Sequence, residues 1–234
     1  MAEVLCSHWH LNPEGTYMRT ASLIASLAAV AALAGCVGVR GSGVKAEETR
    51  TVGPFKALTL DGGYQVKLEA GPGVEGDVQL ALTGDDNLLP LLKTTVGAEV
   101  LTCGSDELMW TNLPLTLEAR TGPLEALTVN GSAEGEVVGL SGEKVRLEIN
   151  GSGQLALSGK VGELVIDISG SGTIDARKLE AESVTVDVAG SGEAKVCASK
   201  TLTVDISGSG EVEYYCNPST VNQDIAGSGK VTKQ

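Results

Sequence analysis

From Leu127 onward, apolar and polar residues alternate in short runs, and each run ends at a glycine. The runs are Leu127-Thr-Val-Asn130, Leu147-Glu-Ile-Asn150, Ile166-Asp-Ile-Ser169, Val186-Asp-Val-Ala189, Val204-Asp-Ile-Ser207 and Gln223-Asp-Ile-Ala226. Read with a period of two, one face is aliphatic and the other is polar, which predicts half-buried strands. The β-branched residues on the aliphatic face agree. Gly-Ser-Gly or a near copy follows each run, starting at Gly131, Gly151, Gly170, Gly190, Gly208 and Gly227, at intervals of 20, 19, 20, 18 and 19 residues. Glycine there lets the backbone take positive φ and turn sharply.

A unit of about 19 residues cannot bury an apolar face alone, so it must stack on its neighbours. The fold class is therefore all-β. A parallel β-helix with one repeat per rung fits best, each rung adding ~4.8 Å along the axis. An antiparallel meander or sandwich is the alternative, since it uses the same alternation without requiring equivalent rungs. Weaker turns at Leu140-Ser-Gly142 and Leu157-Ser-Gly159 predict more than one strand per rung. Stacking predicts columns of like residues: a serine column (Ser132, Ser152, Ser171, Ser191, Ser209, Ser228) of hydroxyls, and an acidic column (Asp167, Asp187, Asp205, Asp224). Lys230 and Lys233 flank the last short strand and blunt its edge.

Residues 127–234 thus form regular rungs, and residues 54–126 carry the same style without the strict period. Phe55–Leu60 alternates, turns at Gly62-Gly63 and resumes from Tyr64 to Leu68. Val78–Leu82 is a strand, and Asp85 is placed to cap a short helix that Pro90 limits.

The amino-terminal pattern differs. Arg19 precedes an apolar run from Ala21 to Ala34 that closes on Leu33-Ala-Gly-Cys36. A charged residue, a short apolar stretch and small residues before a cysteine read as a lipoprotein signal peptide over 1–35. Cys36 is then the lipidated residue. Residues 1–17 read as a start-site extension, with translation beginning at Met18. Residues 36–53 read as the lipidated cysteine and a polar tether. Val37 after the cysteine implies outer-membrane sorting in a Gram-negative host. The expected location is the cell envelope, and the expected partner at this end is the membrane, through the acyl chains.

Removing residues 1–35 takes the net charge from −13 to −12 and removes both histidines, His8 and His10. The mature chain then lacks the imidazole that Ser-His-Asp, Cys-His and most metal-assisted chemistries need. The acidity makes nucleic acid an unfavourable partner. The Gly-Ser-Gly copies end strands and precede more strand, so no helix amino terminus receives a phosphate.

Gly41-Ser-Gly-Val44, Arg50-Thr-Val-Gly-Pro-Phe55, the Gly62–Leu68 strand pattern, Gly84-Asp-Asp-Asn-Leu88 and the serial Gly-Ser-Gly rungs together resemble the bacterial family described as "putative auto-transporter adhesin, head GIN domain", a domain of unknown function. The resemblance spans roughly residues 41–232. It implies a right-handed β-helical envelope protein, often a lipoprotein, and brings no catalytic residues with it.

Candidate chemistry is sparse. Cys197 and Cys216 stand 19 residues apart, about one rung, in an oxidising compartment, which suits a disulfide. Their offsets from Gly190 and Gly208 differ by one, which suits two buried thiols instead. The acidic column offers oxygen ligands for calcium or a solvated face. No CxxC pair suits zinc, and no cofactor is implied. A lyase-like glycan enzyme would use a basic residue among Arg146, Arg177 and Lys195. Tyr214-Tyr215 forms either a contact patch or a pair split between core and surface. The expected function is a non-catalytic binding, adhesion or structural module with a macromolecular or glycan partner; the alternative is the glycan-active enzyme.

Overall fold

A computed structural model describes residues 38–234. The expected signal peptide, the expected start-site extension and Cys36 lie outside the described residues.

The repeat builds a β-solenoid of about five turns of stacked parallel coils. Leu127, Leu147, Ile166, Val186 and Val204 lie directly over one another, as do Gly131, Gly151, Gly170, Gly190 and Gly208. Every one of these pairings is parallel, so the antiparallel alternative does not hold for the repeat. Each coil runs along a first sheet, such as Arg146–Gly151, and turns at Gly-Ser-Gly. It then runs along a second sheet from Gln154, bends at Ser158-Gly159 and returns through a short third side. The aliphatic residues of all sides are buried in one continuous core. Each contributes roughly 1.5–3 kcal/mol relative to exposure.

The two glycines of each corner are needed for different reasons. The first takes positive φ, +126° at Gly170 and +128° at Gly190. A Cβ there would also collide with the carbonyl oxygen of the equivalent glycine one coil earlier. The second does not take positive φ. A Cβ on Gly172 would stand 2.7 Å from Cγ2 of Ile149 in the preceding coil. Ala133 fills this place in the first copy, where the preceding coil offers Leu60, which is not branched at Cβ. The serine column stands, but its ladder is made by the main chain: the amides of Ser152, Ser171, Ser191 and Ser209 donate to Gly131, Gly151, Gly170 and Gly190, at 2.8–2.9 Å. The hydroxyls face solvent.

The amino-terminal half departs from sequence order. Ala57–Gly62 and Gln65–Ala70 form a coil in register with the repeat, with Gly62 under Gly131. On its other side lies a coil from later in the chain, Val100–Gly104 and Thr116–Thr121. The chain therefore leaves the stack after Ala70, turning through Gly73 (φ +91°) and Gly76 (φ +83°), and lays Val78–Asp85 antiparallel to Thr116–Thr121. A hairpin of Lys93–Gly97 and Val100–Gly104 turns at Ala98 and Glu99, both at positive φ. These antiparallel strands cover the amino end of the core.

The expected tether is corrected from Gly38 on. Lys45–Val52 is a strand paired antiparallel with Val78–Asp85 along its whole length. Only alternate residues touch the fold, so its sequence stays polar. Asp85 is corrected as well. Instead of capping a helix it is buried, at 1% exposure, and accepts hydrogen bonds from the amides of Gly43, Asn112 and Leu113 at 2.7–3.1 Å. Burial pushes its carboxyl up, and the three amides more than offset this, holding it below the usual carboxylate range. Pro90 sits in a single 3-10 turn, Leu89–Leu91.

Candidate functional site

The motifs that carried the family resemblance meet at the amino end. Asn87 Oδ1 accepts from the Ser42 amide (2.8 Å), and the Asp86 amide donates to the Val44 carbonyl (2.9 Å). Arg50 donates to the carbonyls of Leu89 and Leu92, both at 2.7 Å. Gly41 is required because a Cβ would strike the Asp85 carboxylate. These residues clasp the cap onto the solenoid, and their polar groups are spent on each other.

On the first sheet, Asp167, Asp187, Asp205 and Asp224 stand in register, one per coil. Arg146 pairs with Asp167 at 2.6 Å. Partial burial pushes the Asp187 carboxyl up, and the flanking Asp167 and Asp205 push it further. The carboxylates project side by side rather than inward to one point. Among the described residues no three acidic, cysteine or histidine side chains are grouped closely enough to hold a metal ion. Because the folded-state value is raised, Asp187 favours folding in acid, and that contribution is lost as pH rises through it. Asp187→Asn is therefore expected to match the parent's melting temperature in acid and exceed it at neutral pH, with the gain shrinking in high salt. Thermal melts across pH and salt check this; a variant less stable at neutral pH would refute the repulsion.

Among the described residues, register shifts between coils at several places, and the widest break is on the second sheet. The coil beginning at Thr173 belongs to a 20-residue interval and the next to an 18-residue one. Register accordingly jumps from Ala176–Val196 to Glu180–Cys197, leaving Arg177, Lys178 and Leu179 without partners in the following coil. Leu179 returns to the core, while Arg177 and Lys178 are thrown outward. Arg177 folds back on Asp175, with Nε 2.8 Å from Oδ1 and the other nitrogen on Oδ2. Its guanidinium also lies over the Tyr215 ring, 5.7 Å from the centroid. Ala156, Leu157, Asp175, Arg177, Lys178 and Tyr215 enclose a hollow of about 450 Å³.

The charges of the hollow are settled. The Arg177 hydrogen bond holds the Asp175 carboxyl below its usual range. The same contact pushes the Arg177 guanidinium up. Neighbouring Lys195 is pushed up by its hydrogen bond to Glu193, 2.8 Å away. Arg177 and Lys195 thus stand on adjacent coils, both held protonated, while Arg146 lies on the first sheet. The three basic residues do not converge.

The hollow's aromatic wall is fixed by covalent chemistry. Cys197 and Cys216 are joined by a disulfide, with Cα atoms 5.3 Å apart. Tyr215 is the register partner of Cys197, so Cys216 lies one residue too far. It bridges the offset by turning into the left-handed region, φ +69°. The tyrosine pair splits: Tyr214 packs against the core, and Tyr215 faces outward with its hydroxyl donating to Glu213 (3.0 Å). Cys103 is a buried free thiol that burial pushes up to about 12. It stays protonated at neutral pH and is inert. A larger but shallower depression of about 570 Å³ lies on the same sheet around Lys67, Glu118 and Glu136.

The chain is a capped parallel β-solenoid with a hollow on the outer face of its second sheet. The chain belongs to the family described as "Putative auto-transporter adhesin, head GIN domain", whose model matches residues 54–218. Three solved structures share the fold. The "putative adhesin" of Bacteroides fragilis is 17% identical, with a TM-score of 0.68, over 84% of this chain and 100% of that one. Those of Parabacteroides distasonis (22%, TM-score 0.53) and Parabacteroides merdae (18%, TM-score 0.50) also cover 84% of this chain, and 99% and 98% of their own. No curated protein matches in sequence. The family supports a binding or adhesion role.

Proposed function

We propose that this chain is a non-catalytic lipoprotein of the cell envelope that binds a macromolecule through the outer face of its second sheet. The observation that carries the reading is the hollow at the break in the repeat. It joins the aromatic wall of Tyr215 and the exposed Ala156 to the Asp175–Arg177 ion pair and to Lys178, which suits contact rather than proton transfer. The Leu33-Ala-Gly-Cys36 sequence supports anchoring through Cys36, and family membership supports adhesion.

The test is adherence by intact cells. Cells producing the full chain are compared with cells producing Cys36→Ala or Tyr215→Ala on surfaces coated with polysaccharides and matrix proteins. The parent is expected to adhere. Cys36→Ala should release the protein from the membrane fraction, and Tyr215→Ala should keep it there but lose adherence. Unchanged adherence in both variants, or turnover of a polysaccharide by the purified protein, overturns the reading.

A further inference from the structure

We propose that the Arg177–Tyr215 hollow takes a single acidic sugar of a glycan in which acidic and neutral sugars alternate, its ring against Tyr215 and Ala156 and its carboxylate on Lys178. This rests on the binding reading above and names the ligand of the same site.

Size comes first. About 450 Å³ lies within the roughly 300–1,000 Å³ typical of small-molecule sites. It exceeds what one protein side chain fills, and it opens at the surface, where a polymer can pass through.

The lining selects a ring with both apolar and polar edges. The exposed Ala156 offers aliphatic contact, and Tyr215 offers a broad, stiff ring of low conformational entropy. The C–H faces of a pyranose suit these surfaces. Its hydroxyls suit the Asp175–Arg177 fork, whose members have remaining acceptor and donor capacity.

Charge then decides between neutral and acidic sugars. Asp175 and Arg177 cancel. Lys178 makes no ion pair among the described residues, unlike Lys160, Lys195 and Lys200 nearby in the stack. The lining is therefore net positive in a chain of net charge −13. A ligand carboxylate at Lys178 gains a charge-assisted bond that a neutral sugar lacks.

The surroundings set the spacing. Glu213 stands beside Tyr215, whose hydroxyl donates to it, while Glu180 on the same coil and Glu193 on the next are held by Lys160 and Lys195. A second carboxylate on the adjoining sugar would meet these acids and the chain's overall field. One acid per site, with a neutral neighbour on each side, avoids that repulsion. The fork and the disulfide beside Tyr215 fix the walls beforehand, which lowers the ordering cost of binding.

The test is calorimetric titration of the mature, unlipidated chain with three tetrasaccharides: one of hyaluronan, where glucuronate alternates with N-acetylglucosamine; tetragalacturonate; and cellotetraose. The hyaluronan fragment is expected to bind at least tenfold tighter than either of the others. Lys178→Met should weaken it about tenfold and remove most of its salt dependence, and Tyr215→Leu should weaken it by about fivefold or more. Thermal melts confirm that both variants fold. Equal binding of the three sugars, no binding of the hyaluronan fragment, or indifference to Lys178→Met overturns the acidic-sugar assignment. If Tyr215→Ala still abolishes cell adherence in that case, the binding reading survives with another ligand; if it does not, both fall.

Discussion

Gly190→Ala is expected to cost about 2–6 kcal/mol in unfolding free energy, one of the largest single losses available in this fold. Two penalties combine. The backbone φ of +128° is a region that side chains avoid, at roughly 1–3 kcal/mol. The new Cβ also meets the Gly170 carbonyl oxygen, which belongs to the hydrogen-bonded ladder and receives the Ser191 amide at 2.8 Å. Displacing it breaks the contact between coils, and forced overpacking adds about 1–3 kcal/mol. Two companion variants separate the causes. Gly142→Ala shares the positive φ (+136°) but meets nothing within 4 Å, so it carries the backbone penalty alone. Gly192→Ala has no such φ and meets Cγ2 of Ile168 at 2.5 Å and the Gly172 carbonyl oxygen at 3.0 Å, so it carries the packing penalty alone. Urea denaturation of the three variants should rank Gly190→Ala as the most damaging. A Gly190→Ala midpoint equal to that of Gly142→Ala would show that stacked glycine carbonyls do not set the corner.

That ranking explains why the repeat was so legible. Alternation fixes which face is buried, the first glycine fixes the turn, and vertical stacking forces every coil to repeat both. The pattern therefore carries the fold from Leu127 to the last coil without further information. The same logic fails upstream. Gly62-Gly63 is a true corner, but its coil neighbours are Val100–Gly104 and Ala126–Gly131. Periodicity assumes that neighbours in sequence are neighbours in space, and here they are not. Lys45–Val52 was hidden differently, as an edge strand too shallowly covered to need aliphatic residues. Asp85 reads as a helix cap because its real partners, Gly43 and Asn112, lie 42 and 27 residues away.

The hollow was half legible. Intervals of 20 and then 18 residues announce that one coil borrows length from the next. Because the corners must stay stacked, surplus residues between them have nowhere to go but outward. The surplus falls at Arg177-Lys178, the widest of the register breaks between coils, and the hollow lies there. What the intervals do not reveal is the wall opposite. Tyr215 comes from the coil two turns along, and its placement depends on a cysteine pair whose offsets looked mismatched.

Reducing that pair is expected to lower stability by about 3 kcal/mol, the value for a closed loop of this size in the chain-entropy account; the two cysteines are 19 residues apart. The bond joins the coil at Cys197 to the segment that leads into Thr220–Gly227 and Lys230–Lys233, which have a neighbour on one side only. The loss should therefore be local. Hydrogen exchange of the reduced protein should rise in Glu211–Tyr215 and Lys230–Lys233, while Leu147–Ile149, packed between coils, keeps its protection. Without the constraint at Cys216, nothing covalent holds the left-handed turn, and Tyr215 is free to leave the Arg177 face. The hollow should lose its wall along with the stability. Cys197→Ala/Cys216→Ala repeats the experiment without reductant, and Cys103, buried and protonated, should be indifferent to both treatments. Urea midpoints with and without reductant, paired with exchange mass spectrometry, give the answer. An unchanged midpoint, or a loss spread evenly over all coils, would mean that the last turns are held by stacking alone.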